Sequence, residues 1–364
     1  MHIGLLIYGQ LNYPSGGFLY DRKLVEHLQN NGHTVTIFSQ AWASPIGKIV
    51  QNWDRALLKK ILASNLDVIV QDELNHASLF LINKKLKKHS STPIIALVHH
   101  LRLSEVPSSG IISQWIEKIY LRSVDSFLVN SAATARSLAP WIDADQPIQV
   151  AQPGGDRLGT INDPAEIHKR AAQAGPLRVL FVGSLTIRKQ AHLILKAIKL
   201  LPKGLIKATF AGDLSADPEY VKQLDTQLQE LDISENVRFI GHVENQHLIN
   251  ELENSHVFVL PSSYEGFGIA FLEGMAFGLP AIGINTGGAA DIIEHGVNGF
   301  LLDKSEPKEL AKWLSRLAND RKLLATMGKA ALSSFEKFPT WQKSMTLAQN
   351  FLTEMTQKGN HVKH

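Results

Sequence analysis

At 364 residues the chain is too long for one average domain and long enough for two separate cores. Apolar residues make up 44% and charged residues of both signs 20%, which excludes a disordered chain, and a formal net charge of +3 does not mark a nucleic-acid binder. The absence of cysteine removes disulfides, thiolate metal sites and cysteine nucleophiles together.

The N-terminus, "MHIGLLIYGQ", lacks a basic flank and a small-residue cleavage site, so it reads as a first strand. No segment approaches the roughly 18 to 20 unbroken apolar residues of a spanning helix. A cytoplasmic protein is the expectation. Residues 1–153 hold 14 Lys and Arg against 11 Asp and Glu, so all of the small positive excess lies in that half.

From there the strand candidates run "HIGLLIY", "TVTIFS", "DVIVQ", "PIIALVHH", "DSFLVN" and "PIQVAQ". Segments with apolar residues at helical spacing separate them, such as "FLYDRKLVEHLQNNG" and "HASLFLINKKLKKH". This alternation predicts a parallel sheet covered by helices on both faces, over residues 1–153. Glycine, proline and polar residues crowd together up to residue 176, and 154–176 is the expected linker.

The alternation restarts with "LRVLFVGSL", "KATFAGDL", "NVRFIGHV", "HVFVLPSS", "PAIGINTGG" and "NGFLLD", giving a second α/β domain over 177–338. Residues 339–364 read as a helix that crosses back to the first domain, with Pro339 ahead of it. Two doubly wound domains place a ligand beyond the carboxyl ends of their strands, where the domains are expected to face a central cleft.

One stretch carries the chemistry, "SSYEGFGIAFLEGMAFGLPAI", residues 262–282. A strand ends before it, two glycines interrupt any regular element, and a helical segment follows up to Gly278. Strand, glycine loop and helix start leave N–H groups around Phe267, Gly268, Ile269 and Ala270 at the positive end of a helix dipole, an anion site. Glu265 and Glu273 flank it. A carboxylate beside a bound anion makes sense if the same ligand offers hydroxyl groups, as a nucleotide sugar does: Glu273 would accept from the ribose and Glu265 from the sugar. In "LFVGSLTIRKQAHLILKAI", Gly183 and Ser184 close a strand, and Arg188 with Lys189 supply positive charge for a diphosphate.

Taken together, "SSYEGFGIAFLEGMAFGLPAIGINTGGAADIIEHGVNGFLL", "VGSLTIRKQ", "FIGHV" and "PSGGFLYDRKLVEHLQNNGHTVTIFS" resemble the retaining GT-B glycosyltransferases of family 4, within glycosyl transferases group 1. A Glu, seven residues and a second Glu are that family's hallmark. The resemblance implies a GT-B fold of two Rossmann-like domains. It also implies a metal-independent hexosyl transfer from a nucleotide-diphosphate sugar to an acceptor hydroxyl with retention, as in glycan or glycolipid biosynthesis.

No cofactor beyond the co-substrate is implied. Arg188, Lys189, the loop amides and the Gly16–Gly17 turn would stabilise the leaving diphosphate, and Glu265 would hold the donor sugar. His242 would lie near the base, and His99 beside the reacting sugar. Relatives commonly carry Arg where this chain has Ser184, and Asp is frequent where it has His100.

On the acceptor side the expectation falls on Tyr13, Phe18, Tyr20, His100, Arg102 and the stretch "HLRLSEVPSSG". A sugar, a lipid or a small metabolite all fit as acceptor. Lys84, Lys85, Lys87 and Lys88 close a helix in the basic half, either as a solvated face or as a patch resting peripherally on the inner face of a membrane. Asp143 and Asp145 imitate a D-x-D metal motif without further ligands nearby, so no metal is expected. The alternatives are a nucleotide-sugar epimerase on the same scaffold and a binding protein that has lost its chemistry. A nicotinamide dehydrogenase is set aside, since no G-x-G-x-x-G opens the first helix.

Overall fold

The computed structural model describes residues 1–104 and 111–361, with the side chains of 104, 111 and 359–361 left aside. The chain forms two compact units, Met1–Pro153 with Trp341–His364, and Gly154–Thr340.

In the first unit β1 (His2–Tyr8), β2 (Thr34–Gln40), β3 (Val68–Asp72), β4 (Ile94–Val98), β5 (Ser126–Val129) and β6 (Ile148–Val150) form one sheet in the order β2-β1-β3-β4-β5-β6. Every neighbouring pair is parallel. The central strands β3 and β4 are buried at each of their residues, as expected for a sheet covered on both faces, whereas edge strand β2 is largely exposed or half-buried. Because β1 has β2 on one side and β3 on the other, the chain changes direction of winding between β1 and β3. The crevice at their carboxyl ends is where such sheets take ligands.

The helix Gly16–Asn30 follows β1. Ser15 caps it by accepting from the Phe18 amide, and the chain leaves through Asn31 and Gly32, the latter at φ +77°. The last helix, Trp341–His361, belongs to this unit. Its buried Trp341 meets the Tyr20 ring edge-on at 5.9 Å, and Ser344 donates to the Gln152 carbonyl. Pro339 lies between two helices, so it separates them instead of kinking one.

The second unit repeats the design with β7 (Leu177–Val182), β8 (Ile206–Ala211), β9 (Val237–Gly241), β10 (Val257–Leu260), β11 (Ala281–Ile284) and β12 (Gly299–Leu302), ordered β12-β11-β10-β7-β8-β9. Here winding reverses between β7 and β10, which pair in parallel. The core is aromatic-rich, with Phe181, Phe210, Phe258, Phe271 and Phe300 all buried.

Residues 154–176, expected as a linker, fold into this unit. The helix Ala165–Ala172 buries Ile167, whose side chain leaves no room for a Cβ on Gly278 or Gly328, and Arg170 donates to the Phe277 and Gly278 carbonyls. Local glycine and proline hide this packing, because it comes from contacts more than 100 residues away.

Candidate active site

In the second unit the loops after β7 and β10 are tied together at the reversal point. The Ser263 amide donates to the Arg188 carbonyl at 2.9 Å, and Arg188 Nη1 donates to the Tyr264 carbonyl at 2.6 Å. Lys189 Nζ lies 2.6 Å from Glu265 Oε1, with Arg188 Nη1 at 3.3 Å from the same oxygen. Arg188 and Lys189 sit in a single 3₁₀ turn, Ile187–Lys189. Gln190 at φ +51° separates that turn from the helix Ala191–Lys199, so the pair precedes the helix instead of lying in it.

Burial works against the charge on Glu265, but Lys189 and then Arg188 outweigh it and bring its pKa down to about 2. Burial draws the Lys189 pKa down despite the same pair. Glu265 is therefore a fixed anion held by two cations, buried at 9% exposure.

Gly268 at φ +99° precedes the helix Ile269–Ala276 and, having no side chain, cannot cap it. Ile269 and Ala270 are half-buried at this free N-terminus, while Phe267 is a core residue whose ring meets Phe338 at 6.2 Å. Only its backbone is available to a ligand. The loop is braced from behind by Gly287 and Gly288. The Gly288 amide donates to the Glu265 carbonyl at 2.8 Å, and a Cβ on Gly287 would stand 2.2 Å from that carbonyl oxygen. Sequence reading quoted these glycines without a role.

Glu273 is buried one turn into the helix. Arg157 Nε donates to its Oε1 at 2.8 Å, and Arg157 Nη1 also donates to Asn245. Arg157 was missed because it lies in the segment read as linker. Gly183 follows β7 with its amide donating to the Ala211 carbonyl, and Ser184 beside it is half-buried. His242 follows β9 and is exposed.

In the first unit the residues gather differently. His99, 9% exposed, follows β4, and its Nε2 lies 3.0 Å from Asp21 Oδ1. Gly16 and Gly17 are the first two residues of the helix Gly16–Asn30, so they form a helix start rather than a loop. A Cβ on Gly17 would stand 3.0 Å from His99 Cδ2. Asp21, Asp72 and His99 bring a ligand-type atom each within 4.8 Å of one another.

Burial, then the charge of Asp21, raises the Asp72 pKa to about 8. For His99 burial opposes protonation, but the Asp21 carboxylate overcomes it and the pKa rises. The result is a buried cluster in which Asp72 and the His99 ring both hold their protons more tightly than usual. Neither Asp21 nor Asp72 was singled out from sequence. Four-residue spacing from Gly17 puts Asp21 on the same helix face, which is the signal that was available.

The aromatic acceptor expectation is corrected here. Phe18 and Tyr20 are buried core residues, Tyr20 donating its hydroxyl to the Ala151 carbonyl at 3.0 Å, and only Tyr13 is exposed, at 42%. Arg102 is exposed, and its amide and that of Leu103 donate to the Glu117 carboxylate; His100 is half-buried. The part of "HLRLSEVPSSG" from 105 to 110 lies outside the described residues. Asp143 and Asp145 are exposed in a turn, apart from the acid cluster.

A doubly wound sheet with an uncapped helix start and a paired carboxylate–cation cluster at its reversal point is the architecture of a nucleotide-binding Rossmann-like domain. Residues 162–333 match the model of the family described as glycosyl transferases group 1.

It is 29% identical over 255 residues to a D-inositol 3-phosphate glycosyltransferase of Corynebacterium jeikeium, an alignment spanning 67% of this chain and 61% of that relative. A protein of the same description from Corynebacterium kroppenstedtii is 24% identical, over 96% of this chain and 87% of its own length. The fold matches that of Anabaena HepE in complex with UDP and glucose, at TM-score 0.76 and 20% identity, covering 96% of this chain and 99% of that one. Sucrose-phosphate synthase from Thermosynechococcus elongatus matches at TM-score 0.81 and 18% identity, covering 98% and 99%. The two units together therefore have the GT-B fold.

Proposed function

We propose that the protein transfers a glycosyl residue from a nucleoside diphosphate sugar to an acceptor hydroxyl, with retention and without a metal. The observation that carries this reading is Glu265 fixed as an anion by Lys189 and Arg188, next to the uncapped helix start at Gly268 and one turn before Glu273. The helix start and the basic pair would take the diphosphate, and Glu273, held by Arg157, would accept from ribose hydroxyls. Glu265 would accept from the sugar, or face positive charge at its anomeric carbon.

In the transfer the anomeric carbon–phosphate oxygen bond breaks as the bond to the acceptor oxygen forms. The acceptor proton passes to the departing phosphate, so the protein's work is positioning and charge stabilisation. His99 would stand beside the reacting sugar. The relatives and the HepE complex support a nucleotide-sugar donor. Incubation with UDP-, GDP- and ADP-sugars, with and without sugar and lipid acceptors, tests it: transfer with retained configuration in excess chelator is expected. Interconversion of the sugar, or binding without turnover, would replace it with the epimerase or binding-protein reading.

A lipid-borne acceptor is favoured by the first unit's surface. Trp42, Ile46, Val50 and Trp53 are all more than half exposed, on a segment packed against the helix His76–His89 that carries Lys84, Lys85, Lys87 and Lys88. Lys87 is paired with Asp125 at 2.6 Å, leaving Lys84 and Lys88 as the exposed cations most able to meet anionic headgroups. Among the described residues no helix is long and apolar enough to cross a membrane. Flotation with phosphatidylglycerol vesicles at low salt tests the contact, and absence of binding removes it.

A further inference from the structure

The acid cluster of the first unit is not absorbed by donor recognition. His99 is constrained on three sides by one helix. Gly17 lies so close to the ring that a Cβ there would crowd Cδ2 at 3.0 Å and Nε2 at 3.5 Å, Tyr20 meets it edge-on with centroids 5.4 Å apart, and Asp21 takes Nε2 at 3.0 Å. These residues occupy successive turns of the helix Gly16–Asn30, whose i, i+4 geometry puts Gly17 and Asp21 on one face.

The remaining nitrogen, Nδ1, makes no hydrogen bond with any described residue and is not among the fully shielded unpartnered atoms. By contrast Asp21 Oδ2 and Asp72 Oδ2 are shielded and unpartnered, a costly arrangement for a purely structural ion pair.

We propose that Asp21 is a positioning residue for the reaction: it locks the His99 ring through Nε2 and presents Nδ1 as the nitrogen that meets the donor sugar. This rests on the reading that His99 stands beside that sugar. The neutral ring then keeps its proton on Nε2 and offers Nδ1 as an acceptor for a sugar hydroxyl, and the protonated ring offers an Nδ1–H donor and a positive charge. The titratable groups facing the ring are Asp21 and Tyr20 from the helix, Asp72 at the end of β3 and Glu73 just after it, and the three carboxyl groups together favour the protonated form.

Nitrogen-15 NMR of the unliganded protein tests the lock directly. The neutral His99 ring is expected as the Nε2–H tautomer, with its pKa falling in Asp21→Asn; an Nδ1–H tautomer, or an unmoved pKa, overturns the proposal. Kinetics with the donor that the panel identifies give the second arm. Asp21→Asn is expected to lower kcat about 10-fold with KM for the donor nearly unchanged, and to move the pH–rate limb toward acid, while Asp21→Glu recovers part of the loss. The double variant Asp21→Asn/His99→Ala should be no slower than His99→Ala alone, and a further 10-fold loss in it would show that Asp21 acts independently. If His99→Ala turns over at the wild-type rate, the reading of His99 itself fails; if it is slow while Asp21→Asn is unaffected, only the positioning role fails.

Discussion

The two sheets reverse their winding in the same way, yet their crevices are built from opposite electrostatic materials. At β7/β10 the carboxylate is answered by cations: Glu265 has Lys189 and Arg188, Glu273 has Arg157. At β1/β3 the carboxylates outnumber the cations, and balance is reached by holding protons, on His99 beside Asp21 and on Asp72. A site compensated by fixed charge keeps its state over a broad pH range and suits an anionic ligand of constant charge. A site compensated by protons changes state near neutrality and suits groups that donate or accept hydrogen bonds in turn.

The comparison breaks most visibly at Glu265. Glu265→Gln removes the anion and leaves Lys189 buried without its partner, so transfer should fall about 1000-fold and stability by about 3 kcal/mol. Turnover and denaturant titration check it, and near-normal turnover would mean that the carboxylate is structural. The sign of its pH dependence follows from the lowered pKa. Stability contributed by Glu265 is complete above its unfolded value near 4.5 and is lost as pH falls toward about 2, so the wild type should lose its advantage over the Gln variant only in strong acid.

Next in size is Gly287→Ala. The added Cβ meets the Glu265 carbonyl at 2.2 Å, and the residue sits at φ +54°, so the loop must move. A loss of about 2 to 4 kcal/mol and a donor KM raised about 10-fold are expected, read by thermal melting and initial rates. Wild-type values would show that the loop is not braced from behind. Arg157→Ala is milder. It frees Glu273, and donor KM should rise about 5-fold with little change in kcat, because ribose contacts are made equally in ground and transition states. A change confined to kcat would place Glu273 at the chemistry instead.

The strands were legible because parallel, doubly covered strands are short apolar runs: "DVIVQ" and "PIIALVHH" have no other stable home. The β10 loop was legible for a related reason, since Gly266 and Gly268 directly follow Glu265 between a strand and a helix within a dozen residues. What escaped were partners distant in sequence. Arg157 reaches Glu273 across 116 positions and Asp21 reaches His99 across 78, and neither sits in a local pattern that names its partner. Phe18 and Tyr20 misled in the opposite direction. Aromatics beside a glycine pair look like a platform, but helical period turns Tyr20 inward against Trp341, more than 300 residues away.

The pH dependence of stability separates the two crevices most cleanly. In the folded protein Asp72 holds its proton up to about pH 8, whereas an unfolded aspartate releases it near 3.8. Between those values the native state binds more protons than the unfolded state, so stability must fall as pH rises through the window. His99, with its pKa raised above 6.5, adds a second loss in the same direction as pH climbs past its folded value. Asp72→Asn keeps a neutral side chain at every pH, and its carbonyl can still accept from the Leu74 amide as Asp72 does at 2.9 Å. The variant should therefore match the wild type near pH 4 and exceed it in melting temperature by a margin that widens as pH rises toward about 8. Parallel stability curves would mean that Asp72 is ionised in the native state, and the first crevice would then be as pH-insensitive as the second.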